Sequence, residues 1–471
     1  MARTSAQESR HRCGECGSIQ VKWLGRCPRC GAWASLVPIC ETAEGRAASV
    51  EPMTQILGSE ALTRPTGVRE FDRVLGKGLV AGSVVLLAGE PGVGKSTLLL
   101  ETAKQWALAG RRCLYVSGEE SPAQARARAE RIGAVHEKVL FTAETQLEAI
   151  LASCVEHTPE LVVVDSVQML RCAGEAPGAI SQIQEAVRRF SALAKALDIS
   201  VVLIGHVTKE GEIAGPRFLE HLVDVVLTFA GEQHSRLRLL RGVKNRFGPS
   251  DEVGCFEQNE HGISGVADPG SFLIGRREHP VAGSVATVVM HGRRPLLGEV
   301  QALVAPSSRG GKTVVSGLRS DRVAKIVGVL SARCGLDLRE KDVYLSTVGG
   351  MSMHEPSADL AIALAIAGAA VGEALPLGLV VFGEVALTGE AVPVTATEQR
   401  LAEAARLGRK SAIVPAGGEL GRDQKSATGL TLMTVSTTAM ALAQLRGRKE
   451  ASPAKNAIAE QTRGEPLSAA V

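Results

Sequence analysis

The sequence predicts an α/β fold: a parallel sheet covered by helices on both faces, preceded by a small cysteine module and followed by a second mixed region. Three observations carry this. Apolar runs VVLLA at 84–88, CLYVS at 113–117, LVVVD at 161–165 and VVLIG at 201–205 alternate with helical stretches, and strands apolar along their whole length are buried on both faces. A glycine-rich segment at 89–96 joins the first run to a helix, and four cysteines fall within the first thirty residues. At 471 residues, 45% hydrophobic and 22% charged, the chain is long enough for about three domains with real cores. Lys and Arg number 53 against 50 Asp and Glu, so bulk charge implies neither a nucleic-acid nor a membrane partner, and any such partner has to be argued locally. Residues 1–12 are polar and basic, without the apolar core of a secretory signal. The most apolar long stretch, 360–371, is twelve residues, short of the ~20 that cross a bilayer. A cytoplasmic chain without a membrane partner is expected.

Residues 1–40 form the cysteine module, and 41–66 lack sustained periodicity and read as a linker. Cys13-x2-Cys16 and Cys27-x2-Cys30 are ten residues apart, the arrangement of two knuckles that offer four thiolates to one tetrahedral zinc ion. Gly14, Gly17 and Gly31 permit the tight turns that bring each pair together. A module this small buries too little apolar area to fold alone, so metal binding supplies its folding energy. Six Lys or Arg against two Glu, with Trp23 and Trp33 interleaved, fit a nucleic-acid face on which rings stack and cations meet phosphate. They fit equally a miniature tryptophan core under a solvated basic surface. Cys40 falls outside the spacing.

Residues 67–271 form the nucleotide domain. Gly89, Glu90, Pro91, Gly92, Val93, Gly94, Lys95 and Ser96 match GxxxxGK[ST] between a strand and a helix, with Thr97 next. The glycines let backbone N–H groups close around the phosphates of ATP, Lys95 reaches the β/γ oxygens, and Ser96 ligates Mg2+. Asp165, ending LVVVD, is the candidate Walker-B carboxylate of the magnesium shell. Glu119, after CLYVSG, is the candidate base for the attacking water, with Glu120 its rival. His206, directly after VVLIG and followed by Thr208 and Lys209, stands where a γ-phosphate sensor would lie or is a polar residue closing a strand. Between these runs, Ser121 and Pro122 open a charged helix as N-cap and first helical residue.

GEPGVGKST, VSGEES, LVVVDS and, above all, Lys244-Asn245-Arg246-Phe247-Gly248 resemble the bacterial RadA (Sms) family of recombination and repair ATPases, with the four-cysteine finger in the expected place. The resemblance covers nearly the whole chain except the tail. It implies a RecA-like P-loop core assembled as a hexameric ring and hydrolysis stimulated by single-stranded or branched DNA. It also implies branch migration of recombination intermediates alongside the RecA recombinase. A guanidinium lent by a neighbouring subunit is worth ~10³ to 10⁵ in rate in phosphoryl transfer. On an extended strand Lys244 and Arg246 share one face. They reach an adjacent protomer's nucleotide, as the resemblance implies, or bind DNA phosphates, or form a solvated hairpin.

Residues 272–446 are expected to form an α+β domain. His354-Glu355-Pro356-Ser357-Ala358-Asp359, an alanine-rich helix and GEVALTGEAVPV at 383–394 resemble the peptidase domain of Lon, in which a serine pairs with a lysine. Aligning the segments puts Glu398 at the lysine position, and Arg400 cannot act as a base near neutral pH. Ser357 is therefore expected to open a helix in a fold without peptidase activity, a scaffold for ring assembly and DNA contact. Lys312, Arg319, Arg322, Lys325 and Arg333 are its candidate DNA-facing cations. Residues 447–471 are polar and Pro/Ala/Ser-rich, the composition of a disordered tail. The competing readings are a Lon-like ATP-dependent protease and a nucleotide-switched regulatory ring acting on protein partners.

Overall fold

The computed structural model describes residues 11–38, 52, 54, 63–172, 179–206, 219–231, 236–275, 277–307, 310–417 and 429–446. The expectations for Cys40, Thr208, Lys209, most of the linker and the tail lie outside these residues. The chain divides into two compact units, Met1–Ser59 and Glu60–Val471. In the first, strands β1 (His11–Cys13), β2 (Ile19–Gln20) and β3 (Leu36–Pro38) form a small sheet with β1 central. Its buried apolar residues are Cys13, Cys27 and Leu36. The tryptophans are not its core: Trp23 is 59% and Trp33 74% exposed.

The second unit begins with a two-stranded ribbon, β4 (Thr63–Arg64) and β5 (Leu79–Val80), around helix α1 (Arg69–Leu75). Nine strands then build one sheet: β6 (Val84–Gly89), β7 (Cys113–Ser117), β8 (Val139–Thr142), β9 (Leu161–Asp165), β10 (Ser200–His206), β11 (Val225–Gly231), β12 (Leu237–Asn245), β13 (Val253–Asn259) and β14 (Gly262–Gly265). The order across it is β14-β13-β12-β11-β6-β10-β9-β7-β8. From β11 to β8 all neighbours are parallel; β11 to β14 are antiparallel. The unbroken apolar runs are explained by the alternation of faces. Val85, Leu87, Val163 and Ile204 pack in the layer of α1 and α2 (Lys95–Leu108), whereas Val84, Leu86, Val164 and Leu203 pack in the layer of α4 (Leu147–His157) and α5 (Ile180–Leu197). Helix α3 (Pro122–Arg131) starts in a capping box between Ser121 and Gln124, with Pro122 in its first turn.

The C-terminal part is a seven-stranded mixed sheet built from β15 (Ser284–His291), β16 (Arg294–Pro306), β17 (Thr313–Ser316), β18 (Lys341–Thr347), β19 (Leu379–Val381), β22 (Ser411–Pro415) and β23 (Thr431–Val435), with β20 (Glu384–Val385) and β21 (Ala391–Val392) paired beside it. Helices Ser320–Cys334 and Asp359–Val371 cover one face, and Thr397–Arg406 the other. The helix Asp359–Val371 is buried all round over its first ten residues, which is why its sequence shows no polar face.

The two sheets of this unit share a core. Leu237, Leu239, Val253 and Cys255 of β12 and β13 pack with Val285, Val289 and Leu296 of β15 and β16. A buried ion pair crosses the seam, from Glu70 of α1 to Arg294, which also donates to the Val253 carbonyl at 3.0 Å. Glu70 also accepts from the Cys255 N–H at 2.9 Å. Nearby, Arg241 Nη2 and His291 Nδ1 are 2.8 Å apart.

Two stability predictions follow from the seam. Arg294→Ala removes the buried cation from Glu70 and leaves it only the half-exposed Arg73 at 3.5 Å, and the expected loss is ~3 kcal/mol in urea unfolding. Burial, then the Arg241 charge, push His291 from 6.5 down to about 4. The unfolded chain takes up this proton near pH 6.5 and the folded chain does not, so the contribution is intact above 6.5 and is lost as pH falls towards 4. The urea midpoint should drop between pH 7 and 5, and His291→Asn should flatten that drop.

Candidate nucleotide and zinc sites

The carboxyl ends of β6, β7, β9 and β10 bring most of the candidate residues together. His206 pairs in register with Gly89, and Ser117 with Asp165, so four strand ends open on one edge, where α/β sheets hold their ligands. Only the backbone position of His206 belongs to the described structure. The segment after β6 turns tightly: Gly92 and Gly94 have φ of 78° and 106°, conformations that favour glycine. A Cβ on Gly89 would stand 2.3 Å from the Phe229 carbonyl oxygen, so glycine is required there by close approach. Gln258 of β13 lies against Gly94 with its Oε1 buried and unbonded.

Lys95 opens α2 and is buried, its ammonium donating to the carbonyls of Gly89 at 2.8 Å and Glu90 at 2.9 Å. Burial pulls its pKa below the usual lysine range, while Asp165 and Glu119 act in the opposite direction. Ser96 and Thr97 follow in the first turn of α2. The turn leads into the N-terminus of α2, where backbone N–H groups are left without helical partners, the chemistry that suits an anion such as phosphate.

The two neighbouring acids have different partners. Glu119 Oε1 accepts from the Ser166 hydroxyl at 2.7 Å. Glu120 Oε2 lies 2.8 Å from Arg128 Nη2 of α3, an ion pair whose angles fall outside hydrogen-bonding range. Asp165 is buried and accepts at Oδ2 from the Tyr115 hydroxyl at 2.9 Å. Burial, then the Asp165 charge, raise the Tyr115 pKa far above the usual phenol value, so it remains a donor. Ser166, Tyr115 and Arg128 were not legible as site residues. Ser166 directly follows Asp165, the one signal that pointed to it.

Lys244 and Arg246 are placed elsewhere. β12 ends at Asn245, so Arg246 lies just past the strand, yet both cations converge on the segment 220–224. Lys244 donates to the Glu220 carbonyl and, at 2.9 Å, to that of Val223. Arg246 Nη1 donates to Asp224 Oδ1 at 3.0 Å and keeps 53% of its side chain exposed. Asp224 Oδ2 accepts from the N–H of Val84 at 3.0 Å, the first residue of β6. The amide of Asn245 caps the Leu75 carbonyl at the end of α1, where a helix leaves such groups without partners. The cationic loop is therefore fixed at the opposite end of β6 from the phosphate cradle, about 16 Å away for five extended residues.

In the C-terminal sheet Ser357 and Arg400 are both fully buried. Arg400 Nη1 donates to Ser357 Oγ at 3.0 Å and to the Val288 carbonyl at 2.7 Å, and its guanidinium pairs with Glu355. Two side chains meet the serine: Arg400, and Glu355, whose Oε2 accepts from the Ser357 hydroxyl at 2.9 Å. Arg322 and Lys325 turn inward: Arg322 grips the buried Asp359 with bonds of 2.9 and 2.7 Å, and Lys325 reaches it at 3.1 Å. Arg319 pairs with Asp321.

In the cysteine module the ligand atoms of Cys13, Cys16, Cys27 and Cys30 lie within 4.8 Å of one another. The Cys13–Cys30 and Cys16–Cys27 sulfur pairs are each 3.6 Å apart, close to the ~3.8 Å edge of a tetrahedron with Zn–S of 2.3 Å. Each knuckle closes alike, Gly17 N–H onto the Cys13 carbonyl and Gly31 N–H onto that of Cys27, both at 2.9 Å. The Ser35 hydroxyl, with backbone N–H groups, holds Cys13 down at about 6, while, against its backbone bond with Ala32, the neighbouring Cys16 sulfur and burial push Cys30 up to about 12. The donor set and spacing fit Zn2+.

Residues 67–212 match the family model described as an AAA domain, and 11–38 that of a rubredoxin metal-binding domain. The chain is similar to "DNA repair protein RadA" of Mycolicibacterium smegmatis, 48% identical over 87% of this chain and 92% of that one. It is similar also to the protein of the same name from Bacillus subtilis, 43% identical over 88% of this chain and 93% of that one. Among solved structures, a KaiC-like protein from Pyrococcus horikoshii OT3 aligns over 43% of this chain and 98% of its own, at 18% identity and a TM-score of 0.38.

Stripping the metal with a chelator should release one zinc per chain and unfold residues 11–38, exposing them to protease while the ATPase part resists. Release is read by a colorimetric zinc dye, and Cys27→Ser should reproduce it.

Proposed function

The chain belongs to the DNA repair protein RadA family, and on that premise we propose that it is a DNA-dependent ATPase of homologous recombination and repair. It works as a hexameric, helicase-like ring on single-stranded or branched DNA and promotes branch migration of RecA-mediated strand exchange. The observation that carries this reading is the division of the catalytic groups between the two ends of β6. Lys95, Glu119 and Asp165 stand at one end, Arg246 and Lys244 at the other.

At its own cradle the chain binds the triphosphate with the turn at 89–96 and Lys95. Glu119, oriented by Ser166, takes the proton of the attacking water. Ser96 and Asp165 would hold Mg2+, which supplies neutralisation of charge on the phosphate oxygens. His206 senses the γ-phosphate from the strand beside the cradle. Arg246, half exposed and too far from its own nucleotide, serves the neighbouring subunit, with Lys244 beside it.

Domain roles follow. Residues 1–40 form the zinc finger, 67–271 the motor and 272–446 a non-proteolytic Lon-like scaffold. Against peptidase activity stands Arg400, a cation that cannot accept the serine proton and that also pairs with Glu355, so the carboxylate that accepts from the Ser357 hydroxyl is already committed to an ion pair. With Arg322 and Lys325 committed to Asp359, DNA contact by that domain falls to other cations. The exposed Trp23 and Trp33 of the finger favour a partner-facing surface over an internal role.

ATP hydrolysis should rise with single-stranded DNA, and DNA binding should weaken steeply with salt as counterions are released. Lys95→Ala should abolish turnover. Arg246→Ala should leave nucleotide affinity unchanged and lower kcat by ~10³-fold or more. Hydrolysis indifferent to DNA at every salt concentration would overturn the motor reading.

A further inference from the structure

We propose that Tyr115 and Arg128 are positioning residues that clamp the Asp165 carboxylate, and that this clamp, not catalysis, is the work of Glu120. The proposal rests on the ATPase reading above and deepens it.

The contacts form one chain. The Tyr115 hydroxyl donates to Asp165 Oδ2 at 2.9 Å. Arg128 Nη2 donates to that same hydroxyl at 3.4 Å, lies 2.8 Å from Glu120 Oε2, and stands 3.9 Å from Asp165 Oδ2. Tyr115 is placed by the sheet: β7 neighbours β9, with Tyr115 opposite Val163 and Ser117 opposite Asp165. Its ring lies on Phe141 with centroids 6.5 Å apart. Arg128 is placed by α3, whose capping box begins at Ser121, immediately after Glu120. The same short connection therefore carries both Glu119 and the helix that fixes Arg128.

Arg128 borders a cavity of about 170 Å³, lined also by Leu100, Ala125 and Phe141, and its guanidinium is held by Glu120 and Tyr115. The consequence lies at Asp165. A carboxylate free to turn can offer either oxygen; with Oδ2 tied to a hydroxyl and faced by a cation, Oδ1 is left for a metal or its water. Two adjacent acids thus acquire separate tasks, Glu119 hydrogen-bonded to Ser166 and Glu120 ion-paired with Arg128 of the clamp.

The probe is Mn2+, followed by electron paramagnetic resonance in the full-length protein with a non-hydrolysable ATP analogue. Tyr115→Phe, which preserves the ring, should weaken Mn2+ affinity on the order of tenfold, the loss of one hydrogen bond to a charged group. Arg128→Ala should weaken it similarly, and Arg128→Lys should recover part of the loss. Binding of the analogue in EDTA should stay at the wild-type value in all three. In ATPase assays the Mg2+ midpoint should rise, with excess Mg2+ restoring kcat. Wild-type Mn2+ affinity in both Tyr115→Phe and Arg128→Ala overturns the clamp. An equal loss of metal-free analogue binding overturns it too, since the residues would then only support the fold. A wild-type protein that binds Mn2+ and analogue but never hydrolyses ATP defeats the ATPase reading instead, and the Mn2+ comparison still judges the clamp.

Discussion

One carboxylate, Asp224, decides where the cationic loop can act. Its Oδ2 takes the N–H of Val84 and its Oδ1 the guanidinium of Arg246, so the loop is tied to the start of the strand whose far end carries the phosphate-binding turn. Asn245 fastens the loop a second time, at the end of α1. An arginine held there and still half exposed is presented outward, away from its own cradle. The proposed lending of Arg246 between subunits follows from this placement, and a ring is the closed assembly in which every cradle has such a neighbour.

The hairpin behind that loop belongs to two cores at once. Leu240 and Phe256 pack with the ATPase layer, whereas Leu237, Leu239 and Cys255 pack with the C-terminal sheet. The Glu70–Arg294 pair bolts the same seam. Well-packed interiors transmit displacement rather than absorb it, so a shift of the C-terminal sheet moves the strand that ends in Lys244 and Asn245. The proposed scaffold role of the C-terminal sheet is mechanical in this sense.

Much of this was legible in the sequence because it is local. Apolar runs named the buried strands, glycine spacing named the tight turn between β6 and α2, and the paired Cys-x2-Cys motifs named the four-sulfur cluster; each is fixed by backbone geometry within a few residues. What was not legible depends on register across the sheet or on packing between helices. Tyr115 meets Asp165 only because β7 lies beside β9, and no spacing along the chain encodes that. Arg322 and Lys325 share a helix face as their spacing implies, but the face is turned inward to Asp359. The Trp23 and Trp33 side chains read equally as core or surface until the cysteine cluster is seen to be the core itself.

The central claim is that each nucleotide is hydrolysed with a cation from the next subunit. The direct test mixes two inactive proteins, Lys95→Ala and Arg246→Ala, under assembly conditions with ATP and single-stranded DNA. The account predicts that hydrolysis returns, to roughly a quarter of the wild-type rate for random equal mixing around a ring, because some interfaces then combine an intact Lys95 with a neighbour's intact Arg246. If the mixture stays as inactive as its parts while forming mixed rings, the arginine does not act between subunits.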